Sequence, residues 1–569
     1  MRLTLRPRHF HRLSMLALSL SVIGACTMLP LAVDGSATAP VLDGYGDTTL
    51  VPSQANYAAY RLFAQGMSQA YAFNRPEAIR AFKAALAEDP ACAMCAWGAA
   101  AMMGPNINNS SRGDLTEAIK YADYAVRHSA GASKRDRDLI AALALRYGHK
   151  SASTVAMTYA AICRAPETGP RADPLDIAYA AQMRELAARY PHDPDVLIFY
   201  AEAEMVATRG GWWDETTGQP KGRIGEVASM VETALGKLPN HVGLNHYMIH
   251  AVDAVPVAAR AVAAADRLGK LAPKSPHLLH MPSHTYANVG RYADATRVNQ
   301  LAVAADLAFF AELKKQGYKV SMDWREHNTH FQWYGALMEG RTQLAVESAR
   351  ATAALAKGDG VWSDYMRSVP VLTMLHLQRW DELAREPLAP GDQGVYAVIS
   401  QMGRGIAQAR TGKADEARAA LAALKPKVAA LAANHAGAGR FAQMIRGIAL
   451  SSEAQLAAEI ALADGRLDDA LKLQAQAAEA GAAADRTEPP MLAGGPRNRL
   501  GALQVRAKRY AEAEQTYRAS LAQHPANGWA LQGLEKALAG QGKSLEAQPV
   551  QRELAKSWAL ADASVRTTQ

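Results

Sequence analysis

Residues 500–525 read LGALQVRAKRYAEAEQTYRASLAQHP, and this stretch decides the fold. A helix that contains Gly501 is followed by a turn, and a second helix ends at a proline. On the second helix Ala513, Tyr517 and Ser520 recur at helical spacing, so they lie on one face. Because glycine and small side chains let two helices approach closely, the stretch predicts a tightly packed pair of helices.

This pattern resembles the 34-residue tetratricopeptide repeat. The same frame fits an N-terminal stretch at Gly66, Ala78, Phe82, Ala85 and Pro90. Weaker helix pairs recur between the two ends, with predicted turns at Gly290-Arg291, Gly340-Arg341, Gly412-Lys413 and Gly465-Arg466. Strand signals are absent from the sequence. We therefore predict an all-α fold, a tetratricopeptide-like superhelix (solenoid) of helix pairs with a concave groove.

The composition fits closely packed helices and argues against nucleic acid. Apolar residues make up 49% of the chain and aromatic residues only 7%. The net charge is +8, but the basic residues are scattered among acidic ones along helix faces. No basic stripe with interleaved aromatic residues occurs, so we predict no nucleic-acid partner.

The N-terminus predicts export. A basic stretch, residues 1–12, precedes an apolar run, residues 13–25, that is too short to span a bilayer and has the flanks of a secretory signal. The run ends Ile23-Gly24-Ala25-Cys26, which resembles the lipobox of bacterial lipoproteins. The resemblance implies a lipid on Cys26, with ordinary cleavage near Ala39 as the alternative. We expect a periplasmic or outer-membrane-anchored protein whose membrane contact is the lipid alone.

The chain divides into seven predicted segments. They are a signal peptide (1–25), a flexible tether (26–50), an N-terminal repeat region (51–165), helix pairs with a Trp-containing loop (166–240), histidine-bearing repeats (241–350), middle helix pairs (351–490) and C-terminal tetratricopeptide repeats (491–569). Beyond the predicted lipid site the cysteines are Cys92, Cys95 and Cys163. In an oxidising compartment a disulfide between two of them is expected, with buried thiols as the alternative.

Half of the 16 histidines fall between residues 241 and 330: His241, His246, His250, His277, His280, His284, His327 and His330. Within each segment they are spaced by three, four or seven residues, so each set faces one way on its helix. The sets also match between repeats at offsets of 34 and 50 residues, the second containing a 16-residue insertion. The matched positions are His246/His280/His330, His250/His284/Tyr334 and Gly243/His277/His327. Because the first helices of consecutive repeats pack side by side, we expect these imidazoles to converge on one patch of the groove.

This pattern predicts a transition-metal site. Imidazole favours copper, zinc or iron, and eight imidazoles exceed the four ligands of one zinc ion. Asp253, Asp323 and Glu326 lie nearby in sequence as ligands, outer partners or a general base. The sequence leaves open whether such a metal is catalytic. The alternatives are histidines kept for packing, and a peptide- or protein-binding scaffold lipoprotein in cell-envelope assembly.

Two further stretches carry a resemblance. Residues 240–252, NHVGLNHYMIHAV, and residues 277–286, HLLHMPSHTY, are similar to a signature of uncharacterised exported bacterial repeat proteins, as are residues 104–108 and 326–331. The resemblance spans most of the mature chain. It implies the repeat fold and a multi-histidine signature, and it implies no reaction.

Overall fold

The computed structural model describes residues 38–109, 111–148 and 172–567. The predicted signal peptide, Cys26 and Cys163 lie outside the described residues. Every regular element of the described ranges is a helix, and the few β-type contacts are isolated bridges such as Trp213 with Pro220. None of these helices is both long and apolar enough to span a bilayer. The prediction of an all-α superhelix of helix pairs is confirmed.

The helices, numbered in chain order, pack mainly on their neighbours in sequence. The N-terminal helices are α1 (Tyr57–Tyr71), α2 (Arg75–Glu88), α3 (Ala93–Met103), α4 (Thr116–His128), α5 (Lys134–Arg146), α6 (Pro174–Arg189), α7 (Pro194–Thr208) and α8 (Ile224–Lys237). The central helices are α9 (Val242–Ala251), α10 (Val262–Leu271), α11 (Pro276–His280), α12 (Pro282–Asn288), α13 (Tyr292–Lys315), α14 (Arg325–Met338) and α15 (Thr342–Leu355). The C-terminal helices are α16 (Val361–His376), α17 (Trp380–Leu383), α18 (Gly394–Arg410), α19 (Ala414–Asn434), α20 (Arg440–Ala463), α21 (Leu467–Gly481), α22 (Gly495–Arg506), α23 (Tyr510–Gln523), α24 (Gly528–Gly540), α25 (Ser544–Ser557) and α26 (Ala563–Thr567).

Successive helix pairs are joined by an aromatic side chain that packs between two glycines. Phe82 on α2 packs against Gly66 of its own pair and Gly98 of the next, and a Cβ on either glycine would lie 2.6 Å from the ring. Tyr517 on α23 is held between two glycines in the same way. The small residues of the repeat pattern therefore let three consecutive helices close on one aromatic side chain.

The predicted glycine turns also bring distant repeats together. Gly290 and Gly340 end their helices with φ of 76° and 75°, which only glycine adopts freely. A Cβ on Gly290 would lie 2.6 Å from the carbonyl oxygen of Pro525, and one on Gly340 would lie 2.8 Å from Ala561. The C-terminal repeats thus pack against the turns of the histidine-bearing repeats.

Two N-terminal features can be compared with the sequence predictions: the predicted tether and the cysteines. In the described part of the predicted tether, residues 38–50, Leu50 is fully buried and Tyr45 packs edge-on against Phe309, whereas Val41 is exposed. Cys92 and Cys95 form a disulfide at the start of α3, with both side chains buried. The prediction of a disulfide between two of the cysteines is confirmed.

Candidate metal centre

The structure groups six of the eight predicted histidines into two clusters. The first cluster is His246, His250 and His277, and the second cluster is His280, His284 and His327. Within each cluster the candidate ligand atoms lie within 4.8 Å of one another. Each cluster combines the histidine pair of one repeat with the leading histidine of the next repeat. The two clusters are therefore copies of one arrangement, shifted by one repeat.

This grouping corrects the expectation that matched positions converge on one patch. His246 and His280, which share a repeat position, lie in different clusters. Packed helices stand about 8–10 Å apart, whereas two nitrogens bound to one metal are only about 3–4 Å apart. The distance between neighbouring repeats is thus too long for histidines at matched positions to share an ion. The third imidazole of each cluster comes instead from the next repeat, as His277 in the first cluster and His327 in the second.

Two of the helices that carry the clusters, α9 and α11, start at polar caps. His241 caps α9, where its Nδ1 accepts from the backbone N–H of Leu244 at 3.3 Å. Ser275 caps α11 by accepting from the N–H of Leu278 at 3.3 Å. Pro282, which has no N–H, begins α12 and interrupts the helical hydrogen bonding after α11. The paired histidines of this interrupted segment still keep the spacing found on the continuous helix α9.

In the first cluster geometry sets one unprotonated nitrogen, Nε2 of His246. His246 Nδ1 lies 2.7 Å from the carbonyl oxygen of Tyr71, and since a carbonyl only accepts, this nitrogen carries the proton. The Nε2 lone pair of neutral His246 then faces His250 Nε2 at 3.1 Å. Two lone pairs cannot face each other at this distance, so either a proton or a cation lies between the rings.

His277 distinguishes these two cases. Both of its ring nitrogens are buried without a hydrogen-bond partner among the described residues. Its ring is stacked between Phe73, at 5.2 Å, and Trp324, at 4.6 Å between ring centroids. Leaving a buried polar atom unpaired costs about 1–3 kcal/mol. A metal ion shared with the other two imidazoles would remove that cost at one of the two nitrogens, and a proton between His246 and His250 would remove it at neither.

The second cluster has the same internal geometry. His280 Nδ1 donates to Asn299 Oδ1 at 2.7 Å, an orientation fixed because Asn299 Nδ2 donates to the carbonyl of Ala295 at 2.8 Å. His284 Nδ1 donates to Asp253 Oδ2 at 2.9 Å. The two Nε2 atoms again lie 3.1 Å apart. Outer acceptors on Nδ1 that aim Nε2 inward are typical of histidine ligands of metals.

The two clusters differ in their charged surroundings. Although burial alone disfavours the imidazolium, the carboxylates of Asp253 and Glu488 raise the pKa of His284 to about 10. Glu488 Oε2 lies 3.2 Å from His284 Nδ1, and its side chain is half exposed. In the first cluster burial lowers the pKa of His250 to about 3 and, with neighbouring imidazoles, that of His277 well below its usual value. The first cluster is thus neutral and apolar, and the second has carboxylate partners.

His241 and His330 join neither cluster. His241 Nε2 lies 3.1 Å from Thr49 Oγ1. His330 Nε2 lies 2.9 Å from the hydroxyl oxygen of Tyr365, which donates its own proton to the carbonyl of Met491 at 3.1 Å. His330 Nε2 must therefore carry a proton, and its Nδ1 is buried without a hydrogen-bond partner among the described residues.

The third repeat replaces the cluster with tyrosines. Tyr334 stands at the matched position of His250 and His284. Tyr365 follows His327 by 38 residues, the same offset that separates Gly340 from the next left-handed turn residue, Gln378. Tyr365 therefore occupies the position that His277 and His327 hold in the clusters.

The three carboxylates predicted near the site make different contacts. Asp253 is the outer partner of His284, and it also accepts from Asn288 Nδ2 at 2.9 Å. Asp323 is ion-paired with Arg325 at 2.9 Å. Burial raises the pKa of Glu326, which is half-buried. Within the described ranges neither Asp323 nor Glu326 belongs to a group that could hold a metal.

Several contacts of the clusters come from distant parts of the chain, and sequence reasoning missed them. They are the carbonyl of Tyr71, the rings of Phe73 and Trp324, the amide of Asn299 and the carboxylate of Glu488. A backbone carbonyl has no signature in a sequence. Phe73 has a φ of 52°, a conformation that a non-glycine residue needs packing to hold, and the sequence does not reveal this angle.

No protein-family model matches the sequence, and no curated protein matches it. Three solved structures are similar at 11% identity. They are the APC/C hetero-tetramer Cut9-Hcn1 (TM-score 0.26, 88% of this chain and 90% of that chain), yeast Tom70 (0.23, 88% and 92%) and the TPR domain of P58(IPK) (0.20, 86% and 99%). At these TM-scores the likeness carries no argument. The fold rests on the helix pairs themselves, which make the described chain an all-α, tetratricopeptide-like superhelix.

Proposed function

We propose that this protein binds two transition-metal ions, one in each histidine cluster. The observation that carries the proposal is the repetition of one three-imidazole arrangement in consecutive repeats. In both copies an outer acceptor holds Nδ1 of a paired histidine, and two Nε2 atoms lie 3.1 Å apart.

The spacing fits metal coordination. Zinc–imidazole bonds of 2.0–2.1 Å in a tetrahedral site put two ligand nitrogens about 3.3–3.4 Å apart. The paired Nε2 atoms need to separate by only a few tenths of an ångström to reach that value. Three imidazoles leave a fourth position open, as in zinc sites that keep a water or a substrate.

The donor set selects the class of metal. Imidazole without thiolate suits copper, zinc or iron, and disfavours magnesium and calcium, which prefer oxygen. Such an ion supplies a Lewis acid and lowers the pKa of a bound water. The residues of this chain orient the ligands through Tyr71, Asn299 and Asp253, and Phe73, Trp324 and Phe331 cover the rings.

A binding groove for a peptide or protein partner is the competing function, because helix-pair solenoids offer extended concave surfaces. Such a groove would spread its polar contacts along many helices. Here the rings of six histidines face one another instead, for example His280 and His327 at 4.7 Å between centroids. This concentration of imidazole favours metal binding as the primary role, and a protein partner would bind elsewhere on the superhelix.

We also propose that the protein is exported and anchored by a lipid on Cys26. The leader sequence and its lipobox-like end support this proposal, and the Cys92–Cys95 disulfide fits an oxidising compartment. Mass spectrometry of the mature N-terminus tests it. A diacylated Cys26 is expected, and an unmodified residue downstream as the first residue would refute it.

Elemental analysis of untagged, full-length protein tests the metal proposal. After reconstitution with copper, zinc or iron separately and removal of loosely bound ion, we expect about two equivalents of at least one metal per chain. Magnesium and calcium provide the matched negative control. Less than one equivalent of every transition metal after reconstitution would refute the proposal.

A further inference from the structure

A cavity of about 200 Å³ lies between the central and the C-terminal helix pairs, and it is separate from the proposed metal sites. Helices α14, α16, α18, α22 and α24 contribute to its wall. None of the six cluster histidines lines it. Any ligand of this cavity would therefore be a second ligand of the protein, independent of the metal proposal.

The cavity wall carries an excess of positive charge. Arg410 and Arg499 both line it, and both are ion-paired with the same carboxylate, Glu459, whose side chain is only 1% exposed. Both guanidinium groups lie over the ring of Trp380, at 5.2 and 5.4 Å from its centroid. Among the described residues Glu459 is the one carboxylate ion-paired with either arginine. One carboxylate cannot neutralise two guanidinium groups, and Arg506 also lines the cavity, so the wall carries an excess of positive charge.

A further hydrogen-bond donor lies in the same wall. Asn498 Oδ1 accepts from Ser520 Oγ at 2.7 Å, so the other face of the amide is its NH₂ group. Asn498 Nδ2 is buried and has no hydrogen-bond partner among the described residues. Asn498 and Arg499 are adjacent in α22 and both line the cavity. A buried, unpaired donor beside an excess positive charge is the environment that a carboxylate needs.

The rest of the wall is mixed: polar side chains of His376, Gln378 and Gln455 lie beside apolar and aromatic ones. Trp333, Tyr517 and Trp529 line it, together with leucines of α14 and α16. A cavity of roughly 150 Å³ in an engineered protein core accommodates benzene, so 200 Å³ has room for one aromatic ring with one small substituent. The excess of positive charge in the wall favours an anion over a neutral ligand.

We propose that this cavity binds a small aromatic monocarboxylate of about the size of benzoate. The carboxylate accepts hydrogen bonds from Arg499 and Asn498, and the ring lies among the aromatic and leucine side chains. Benzoate, benzamide and acetate separate the two parts of this recognition, because benzamide keeps the ring without the charge and acetate keeps the charge without the ring.

Isothermal titration of the full chain with these three probes tests the proposal. A ligand of this size is expected to bind with a Kd on the order of 1 mM. Charge-assisted hydrogen bonds should make benzoate bind roughly 10- to 100-fold more tightly than benzamide. Acetate should bind more weakly than benzoate, because it buries almost no apolar surface. Equal affinities for benzoate and benzamide, or no benzoate binding at about ten times the expected Kd, would overturn the proposal.

Variants at exposed residues of α22 test the proposal without disturbing the packed core. Ala502 is exposed and lines the cavity, so Ala502→Trp should fill it and abolish benzoate binding. Arg506→Gln, also exposed and lining, should weaken binding severalfold, whereas the matched control Arg509→Gln, which does not line the cavity, should leave binding unchanged. Benzoate affinity that survives Ala502→Trp would contradict the proposal.

Carboxylates also bind metal ions, and a variant without metal ligands excludes that route. The double variant His246→Ala/His280→Ala should bind benzoate as the wild type does. Loss of benzoate binding in this variant, with its circular dichroism unchanged, would assign the ligand to the metal centre and refute the cavity site. Failure of the metal proposal would leave benzoate binding unaffected.

Discussion

The second cluster and the repeat that follows it share one helix frame and differ in chemistry. In the second cluster His280 and His284 face each other through Nε2 atoms whose opposite ring nitrogens are held by Asn299 and Asp253. In the next repeat His330 keeps the first position, but its Nε2 donates to a tyrosine that replaces the third histidine. The comparison teaches that a histidine at the right repeat position is not sufficient. His246, His280 and His284 each have an outer acceptor on Nδ1 and a second imidazole at Nε2, and His330 has neither.

The largest expected effect is the complete loss of one ion or both. His246→Ala should remove the ion of the first cluster and His280→Ala that of the second, and the double variant should bind neither. His330→Ala is the matched control, a buried histidine at the same repeat position, and it should keep both ions. Metal content is measured by elemental analysis after reconstitution.

These variants can also contradict the distinction between the two clusters and the third repeat. An ion lost in His330→Ala would show that the third repeat still supplies a ligand. Loss of both ions in His246→Ala alone, with the helical content unchanged, would show that the two clusters form one inseparable site.

The next effect concerns the outer carboxylate. Asp253→Asn should weaken binding at the second cluster about 10- to 100-fold, because His284 loses the partner that orients its ring and raises its basicity. The first cluster has no such carboxylate and should keep its affinity. Asp323→Asn is the control, since Asp323 is paired with Arg325 instead. Competition with a chromophoric chelator measures both sites, and equal weakening by the two substitutions would contradict the assignment.

The clusters should also respond differently to pH in the metal-free protein. The pKa of His250 is lowered to about 3, so below the ordinary pKa of about 6.5 the unfolded chain takes up a proton that the folded chain excludes. Each such histidine reduces the free energy of unfolding by about 1.4 kcal/mol per pH unit between about pH 6 and its folded pKa. His284 acts in the opposite direction: its raised pKa contributes stability that is present below pH 6.5 and is lost as the pH rises through about 10.

Urea unfolding at several pH values measures this difference. His250→Gln should reduce the acid slope of the free energy of unfolding, and Asp253→Asn should reduce the loss on the alkaline side. A free energy of unfolding that does not change between pH 6.5 and 4.5 would show that the buried imidazoles are not held neutral.

The smallest effect lies in the third repeat. Tyr365→Phe removes the acceptor of His330 Nε2–H and should lower the free energy of unfolding by about 1–3 kcal/mol without changing metal content. Tyr57→Phe, at a side chain that is 75% exposed, should change neither quantity. A new equivalent of metal in Tyr365→Phe would mean that the tyrosine alone keeps this repeat from binding an ion.

The sequence was sufficient for the fold and for which residue types matter. Helical periodicity, the glycine turns and the repeat offset are local signals, and the helix pairs follow them. The sequence did not predict how the histidines group into clusters. The repeat offset shows which residues are equivalent, but not how far one repeat advances along the superhelix. The contacts of Phe73 and Glu488 with the clusters depend on repeats far apart in the chain, and no local pattern encodes them.

Anomalous diffraction from crystals of the reconstituted protein, at the absorption edge of the bound metal, tests the central claim most directly. We predict two peaks, one bonded to His246, His250 and His277 and the other to His280, His284 and His327, with metal–nitrogen distances of about 2.0–2.1 Å for zinc. Peaks at other residues, or ordered clusters with no peak in protein loaded with excess metal, would contradict it.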